Sequence, residues 1–185
     1  MTDQELFDAF EEYQRGRGLA QSTRERRRMS LRSLTRYMTP RSITTVKVPD
    51  VDGWLARLKT PGTKTAYYRD LVAFYKWAHR RELIAANPML LTDPPRAPKH
   101  LPKPCKAEVI GTAVAMSNGP TQLMILLGAL AGLRVAEIAA LSSEDIFLDH
   151  EPPVLLVRQG KGGKDRIVPI HPTLLARLRN VDHGW

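Results

Sequence analysis

Residues 93–104, Asp93-Pro94-Pro95-Arg96-Ala97-Pro98-Lys99-His100-Leu101-Pro102-Lys103-Pro104, carry five prolines in twelve positions. Proline has a locked φ and no amide hydrogen, so this stretch belongs in neither a helix interior nor a central strand. It stays extended, at about 3 Å per residue. A chain interrupted in this way folds as two pieces. The expected boundaries are a first domain over 1–92, a linker over 93–104 and a second domain over 105–185, and 185 residues suffice for both.

The same division separates charge. The chain carries a net charge of +9. Residues 1–92 hold 17 Lys/Arg against 10 Asp/Glu, whereas residues 93–185 hold 11 against 9. A basic excess of this kind points to a polyanion, most often nucleic acid, and singles out the first domain as the part that grips it. The single cysteine, Cys105, excludes an internal disulfide and fits a cytoplasmic protein. The longest apolar run, Leu123 to Leu133, is about half of the roughly 20 residues a membrane span needs. The N-terminus is acidic and is not a signal peptide. The five histidines lack metal-ligand spacing, so no metal site is expected. Gly160-Lys161-Gly162-Gly163-Lys164 lacks the spacing of a nucleotide-binding loop.

Four helices are expected in the first domain. Leu6, Phe7, Phe10 and Tyr13 place a helix over 3–16. A second runs from Gln21-Ser22 to Met38, with Ser22 or Thr23 as cap. Along it Arg24, Arg28, Arg32 and Arg36 recur every four residues as a slowly winding ridge, while Leu31, Leu34 and Met38 lie on another side. Glu25 is the one acid between Ser22 and Pro40, so the ridge reads as a phosphate-contacting face rather than a salt-bridged surface. A third helix, capped by Asp50, carries Val51, Trp54 and Leu55, and Pro61-Gly62 breaks it. The fourth runs from Thr63 to about Leu83. Its aromatics stand near Lys64, Arg69, Lys76 and Arg80, but their helical spacing favours core packing over base stacking.

In the second domain a helix is expected over Lys106–Met116, then a loop over 117–120. Thr121 opens an apolar helix that Gly132 stops, and Val135 to Leu141 form the next. Val154 to Arg158 and Arg166 to Ile170 read as a hairpin around the Gly160–Asp165 tip, with Pro169 marking an edge strand. Pro172 starts a last helix through Leu178. Arg134 sits at the joint between two apolar helices. A guanidinium cannot shed its charge, so burial there costs several kcal/mol unless a carboxylate or a phosphate meets it. Glu137 and Asp145 are the candidate carboxylates.

Two stretches carry a resemblance. Ala131-Gly132-Leu133-Arg134-Val135-Ala136-Glu137-Ile138, with Asp145-Ile146 downstream, resembles the first arginine motif of the tyrosine recombinase (phage integrase) family. Gln159 to Ile170 resembles that family's β-hairpin lysine motif. The pattern is nearest the simple phage and Xer-type integrases. The resemblance implies a mainly α protein. Its parts would be a four-helix, SAM-like core-binding domain and an α+β catalytic domain with a β-hairpin. It implies strand breakage and rejoining on double-stranded DNA with no metal or nucleotide cofactor, in company with other protomers of a tetrameric synapse and without a membrane.

On this reading Arg134 binds the scissile phosphate, Glu137 orients it, and Lys161 protonates the departing 5′-oxygen. Arg24, Arg28, Arg32, Arg36, Lys64, Lys164 and Arg166 would contact DNA. The family's later His-x-x-Arg motif, its further His or Trp and its nucleophilic tyrosine have no counterpart. All five tyrosines, Tyr13, Tyr37, Tyr67, Tyr68 and Tyr75, lie in the first domain. The expectation is a catalytic domain incomplete at its C-terminal end, in a polypeptide that binds DNA and does not cleave it alone. A non-catalytic regulator or decoy at attachment sites is the alternative.

Overall fold

The computed structural model describes residues 1–96, 103–158, 160 and 163–179. The chain separates into two compact units, Met1–Leu101 and Pro102–Trp185.

The first unit is helical throughout. α1 (Asp3–Gly16) starts on a reciprocal cap: the Thr2 hydroxyl accepts the Glu5 amide at 3.2 Å, and the Glu5 carboxylate accepts the Thr2 amide at 2.7 Å. α2 spans Gln21–Met38, α3 Val48–Arg57 and α4 Pro61–Arg80. Three local expectations are corrected. α2 is preceded by Ala20, with no side-chain cap from Ser22 or Thr23. Asp50 is not the cap of α3 but sits three residues inside it, accepting the Lys47 amide at 2.9 Å. Pro61-Gly62 opens α4 rather than separating it from α3, because the first helical turn needs no amide hydrogen from proline; Thr60 caps it through Thr63.

One core joins these helices. Leu6, Phe7 and Phe10 of α1 meet Leu31 and Leu34 of α2, Trp54 of α3, and Leu71, Phe74 and Trp77 of α4, all buried. Edge-on and tilted ring contacts such as Phe10–Phe74 at 5.3 Å and Phe10–Trp77 at 5.0 Å fix its centre. The α4 aromatics thus pack inward. Tyr75 donates to the Ile43 carbonyl at 2.9 Å, and Tyr67 stacks on Trp54 at 5.8 Å.

The second unit contains α5 (Ala107–Ala115), α6 (Gly119–Ala131), α7 (Val135–Ala139) and α8 (Pro172–Leu178) around a three-stranded antiparallel sheet. α6 begins two residues earlier than Thr121, because Asn118 accepts the Thr121 amide at 3.1 Å and Pro120 suits a first turn. The sheet order is β1 (Ile146–Phe147), β2 (Val154–Val157), β3 (Arg166–Pro169). β1 is too short to leave a sequence signal. Leu155 pairs with Ile146 on one side and Val168 on the other. Those side chains face Leu123, Leu127, Leu133 and Leu174 in the core. The opposite sheet face leaves Phe147 and Ile167 exposed. Pro169 lies on an edge strand, as its missing amide requires. The linker residues 97–102 and the end at 180–185 lie outside the described residues.

Candidate nucleic-acid interface

Gly132 ends α6 in the left-handed region, φ +64°, where a side chain is strained. The chain then extends through Arg134 and enters α7. This places Glu137 one turn on, directly over the helix start. Glu137 accepts the Arg134 backbone amide at 2.9 Å and the Arg134 Nη1 at 2.6 Å. From the first position of β3, Arg166 reaches the same carboxylate with both arms of its fork, Nη1 to Oε1 at 2.8 Å and Nη2 to Oε2 at 2.7 Å. The Arg166 hydrogen bonds, then the Arg134 amide, outweigh burial and hold the Glu137 carboxyl well below the usual carboxylate range. The same contact raises Arg166 further.

The expectation of a buried guanidinium is corrected. The Arg134 side chain is 57% exposed, whereas that of Glu137 is 6% exposed. The buried ion at this joint is the carboxylate. The chain extends through Arg134 after the left-handed turn at Gly132, and its side chain meets solvent. Its Nε and Nη2 have no protein acceptor among the described residues.

Arg166 also binds the hairpin to this cluster. A Cβ on Gly160 would stand 2.9 Å from Arg166 Nη1, 3.0 Å from the Lys164 carbonyl and 3.3 Å from Glu137 Oε1. Gly160 is buried there, donating to the Lys164 carbonyl at 3.0 Å, and Gly163 turns back at φ +72°. Lys161, the expected general acid, lies outside the described residues. Lys164 is exposed. Asp145 does not meet Arg134. It is buried and takes Arg158 Nε at 2.5 Å; burial pushes its carboxyl up, but the Arg158 and Ser142 hydrogen bonds bring it below its ordinary value.

In the first unit the arginine ridge divides. The acids that meet it come from α1 and not from α2 itself. Arg28 is bound by Asp8 at 2.9 Å and by Glu11, and Arg24 lies 3.6 Å from Glu11. Arg32 and Arg36 are exposed, and neither forms an ion pair among the described residues. The arginines between the ridge positions hold α4: Arg26 grips Asp70 at 2.7 and 3.1 Å, and Arg27 stands 3.7 Å away. Asp70 is 1% exposed. A second basic face was not picked out from the sequence. On α4, at ~100° per residue, Arg69, Lys76 and Arg80 fall within ~40° of one another. All three are exposed and none has a carboxylate partner among the described residues. Their shared side was legible in the sequence once α4 was placed. Lys64 is half-buried on the first turn, away from that stripe.

Among the described residues no cluster of His, Cys, Asp or Glu could hold a metal ion, and no helix is long and apolar enough to cross a membrane.

Comparison with known proteins places this arrangement. Residues 7–82 match the phage integrase N-terminal SAM-like domain. The chain is 32% identical over 163 residues to tyrosine recombinase XerD of Ralstonia nicotianae, covering 82% of this chain and 52% of that protein. It is 42% identical over 85 residues to tyrosine recombinase XerA of Pyrococcus horikoshii, covering 45% and 29%. It thus spans about half or less of these relatives' length. The fold is similar to that of a lambda integrase dimer bound to a COC′ core site, with a TM-score of 0.72, 20% identity, and coverage of 95% of this chain and 65% of that one. The SAM-like match and these relatives support a tyrosine recombinase (phage integrase) family member, over about half the length of those proteins or less.

Proposed function

We propose that this chain is a site-specific DNA recombinase component that grips duplex DNA and seats a scissile phosphodiester on Arg134. The observation that carries the reading is the Arg134–Glu137–Arg166 cluster. A buried carboxylate pins one side of the Arg134 head and leaves Nε and Nη2 without a protein acceptor among the described residues. Two parallel N–H donors match two non-bridging oxygens of a phosphate. As charge builds at phosphorus these donors gain strength; loss of one such donor typically costs about 100- to 1000-fold in rate. Lys161 sits in sequence just beyond Gly160, whose close approach to Arg166 ties the hairpin base to the same cluster, so it is the natural proton donor to the departing 5′-oxygen. Arg32, Arg36 and the α4 stripe supply backbone contacts, joined by Lys164. Arg24 and Arg28 hold α1 and contribute less. Other protomers complete the synapse.

The five tyrosines are built into the first unit. Tyr13, Tyr67 and Tyr75 stack in or beside the core, Tyr68 donates to the Thr92 carbonyl, and Tyr37 packs under Arg57. The 185 residues therefore hold a phosphate without attacking it. The test uses the purified chain with a nicked suicide duplex. Salt-sensitive binding without a covalent protein–DNA adduct is expected; an adduct overturns the non-cleaving part, and binding indifferent to salt overturns the phosphate grip. The tyrosine placement also favours a second reading, a decoy that occupies recombination sites. Added to a competent Xer-type recombinase, a decoy lowers strand exchange, whereas a working component restores or raises it.

A further inference from the structure

The first unit contains a recess that draws two cations of the α4 stripe, Lys76 and Arg80, together with three arginines that have no role in the recombinase reading. The last turn of α1, the first turns of α2 and the last turns of α4 enclose a cavity of about 530 Å³. Arg17, Arg27, Lys76, Arg80 and Arg81 line it, and no acid does. Tyr13 and Trp77 form its floor, with Arg81 at 4.6 and 5.6 Å from their ring centroids and Arg17 at 5.7 Å from Tyr13. Two guanidiniums thus share one ring. Arg27 is anchored at the back by Gln14 Oε1 at 2.9 Å and stands 3.7 Å from Asp70. The other four cations have no ion-pair partner among the described residues. One buried donor also lacks an acceptor, Nε1 of Trp77, a residue only 4% exposed; Arg27 Nε makes no hydrogen bond but is the atom that faces Asp70.

Surface cations ordinarily spread apart. Here five converge on a recess that offers many donors and no carboxylate, over a floor that positions guanidiniums by stacking. What complements this is a compact group with several acceptor oxygens and more than one negative charge. We propose that the recess seats a phosphate group. It comes either from a free polyphosphate or from the backbone of the duplex held by this unit. The second source rests on the DNA reading; the first does not.

The test follows the three tryptophan indole N–H resonances of the ¹⁵N-labelled full chain, assigned with Trp54→Phe and Trp185→Phe. One titration adds pyrophosphate and the other a 20-base-pair duplex. Trp54 already donates to Ser33 Oγ at 3.3 Å and serves as the internal reference. The expected result is a saturable shift of the Trp77 indole N–H with Trp54 unmoved. Arg17→Ala with Arg81→Ala should weaken pyrophosphate at least tenfold, and Lys76→Ala, which leaves the ring stacking intact, about threefold. Arg36→Ala should change it less than twofold. A Trp77 shift with both ligands and mutual competition supports one shared seat. A shift with pyrophosphate alone assigns a free phosphate, and with duplex alone a backbone phosphate. The proposal falls if neither ligand moves Trp77, or if Arg36→Ala weakens pyrophosphate as much as the double variant. Salt-dependent duplex binding measured separately tells a failure here from a failure of the DNA reading.

Discussion

Each unit contains one buried carboxylate held by two arginines, and the two clusters differ in where the surplus charge points. In the first unit Asp70 is forked by Arg26 and approached by Arg27. In the second Glu137 is forked by Arg166 and capped by Arg134. Each cluster sums to one positive charge. Asp70 fastens α4 to α2, and its second arginine turns inward with 21% of its side chain exposed. Glu137 fastens β3 to α7, and its second arginine faces outward at 57%. A buried carboxylate does similar structural work in both places. It builds a binding group only where the arginine it orients keeps donors free for something outside the protein.

The largest effect that separates the two roles is on stability. Asp70→Asn leaves Arg27 close to the core with its charge uncompensated, while half-exposed Arg26 regains water. Breaking a buried pair from one side typically costs about 3 kcal/mol, and the hydration open to Arg26 trims that to about 2 kcal/mol. Urea unfolding measures it; a loss under ~0.5 kcal/mol would mean that Asp70 fastens nothing. Duplex affinity at a temperature where the variant stays folded should be nearly unchanged.

Glu137→Gln should do the reverse, weakening duplex binding through Arg134 and altering the acid limb of stability. The native Glu137 carboxyl lies far below its ordinary value. Its stabilisation is therefore complete above the unfolded carboxylate pKa, about 4.3, and is lost as pH falls from there toward the folded value. The native chain should lose stability steadily below about pH 5, and the variant should lose less over the same range. An equal acid slope in both proteins would show that the Arg166 fork contributes nothing to folding.

These clusters explain what could be read from the sequence. Helix periodicity placed α1 to α4 and α6 to within a few residues, because apolar spacing reports the face that packs. The arginine joint and the hairpin were legible as motifs. The partners were not. That Arg24 and Arg28 meet Asp8 and Glu11 depends on how α1 lies against α2, and no local signal in α2 reveals it. Asp70 looks in sequence like any polar residue of a helix, and burial alone distinguishes it. Arg134 misled in the other direction: apolar neighbours suggested a buried cation, but after the left-handed Gly132 its side chain meets solvent and Glu137 is buried instead. Arg166 reads as a hairpin charge until β3 places it beside α7.

A smaller effect is expected at the hairpin base. Gly160→Ala puts a methyl group 2.9 Å from Arg166 Nη1 and 3.0 Å from a backbone carbonyl. The arginine end can shift and the carbonyl cannot without opening the turn, so about 1–2 kcal/mol is expected from overpacking. Because the shift falls on the Arg166–Glu137 fork, duplex affinity should drop with it. Arg166→Lys, which keeps the charge and loses the fork, should weaken binding to a similar degree. Unchanged affinity in both variants would uncouple the hairpin from Arg134 and leave the second cluster as structural as the first.

The smallest effect discriminates between arginines of the same helix. Arg24 and Arg28 already neutralise acids of α1, so a phosphate reaching them would have to displace a carboxylate. Arg32 and Arg36 face no such competitor at ion-pair distance. Each phosphate contact releases counterions, and its loss reduces the slope of log affinity against log salt by about 0.9. Arg32→Ala with Arg36→Ala should therefore flatten the slope by up to about 2, and Arg69→Ala with Arg80→Ala by a similar amount. Arg24→Ala with Arg28→Ala should leave the slope within about 0.5 of the native value while lowering stability slightly, since exposed pairs are worth about 0.2–1 kcal/mol each. If the Arg24 and Arg28 pair instead changed the slope as much as Arg32 and Arg36, the α1 carboxylates would be exchangeable for phosphate. The winding ridge would then act as one continuous contact along the DNA backbone, and the distinction between structural and available arginines would hold only in the absence of DNA.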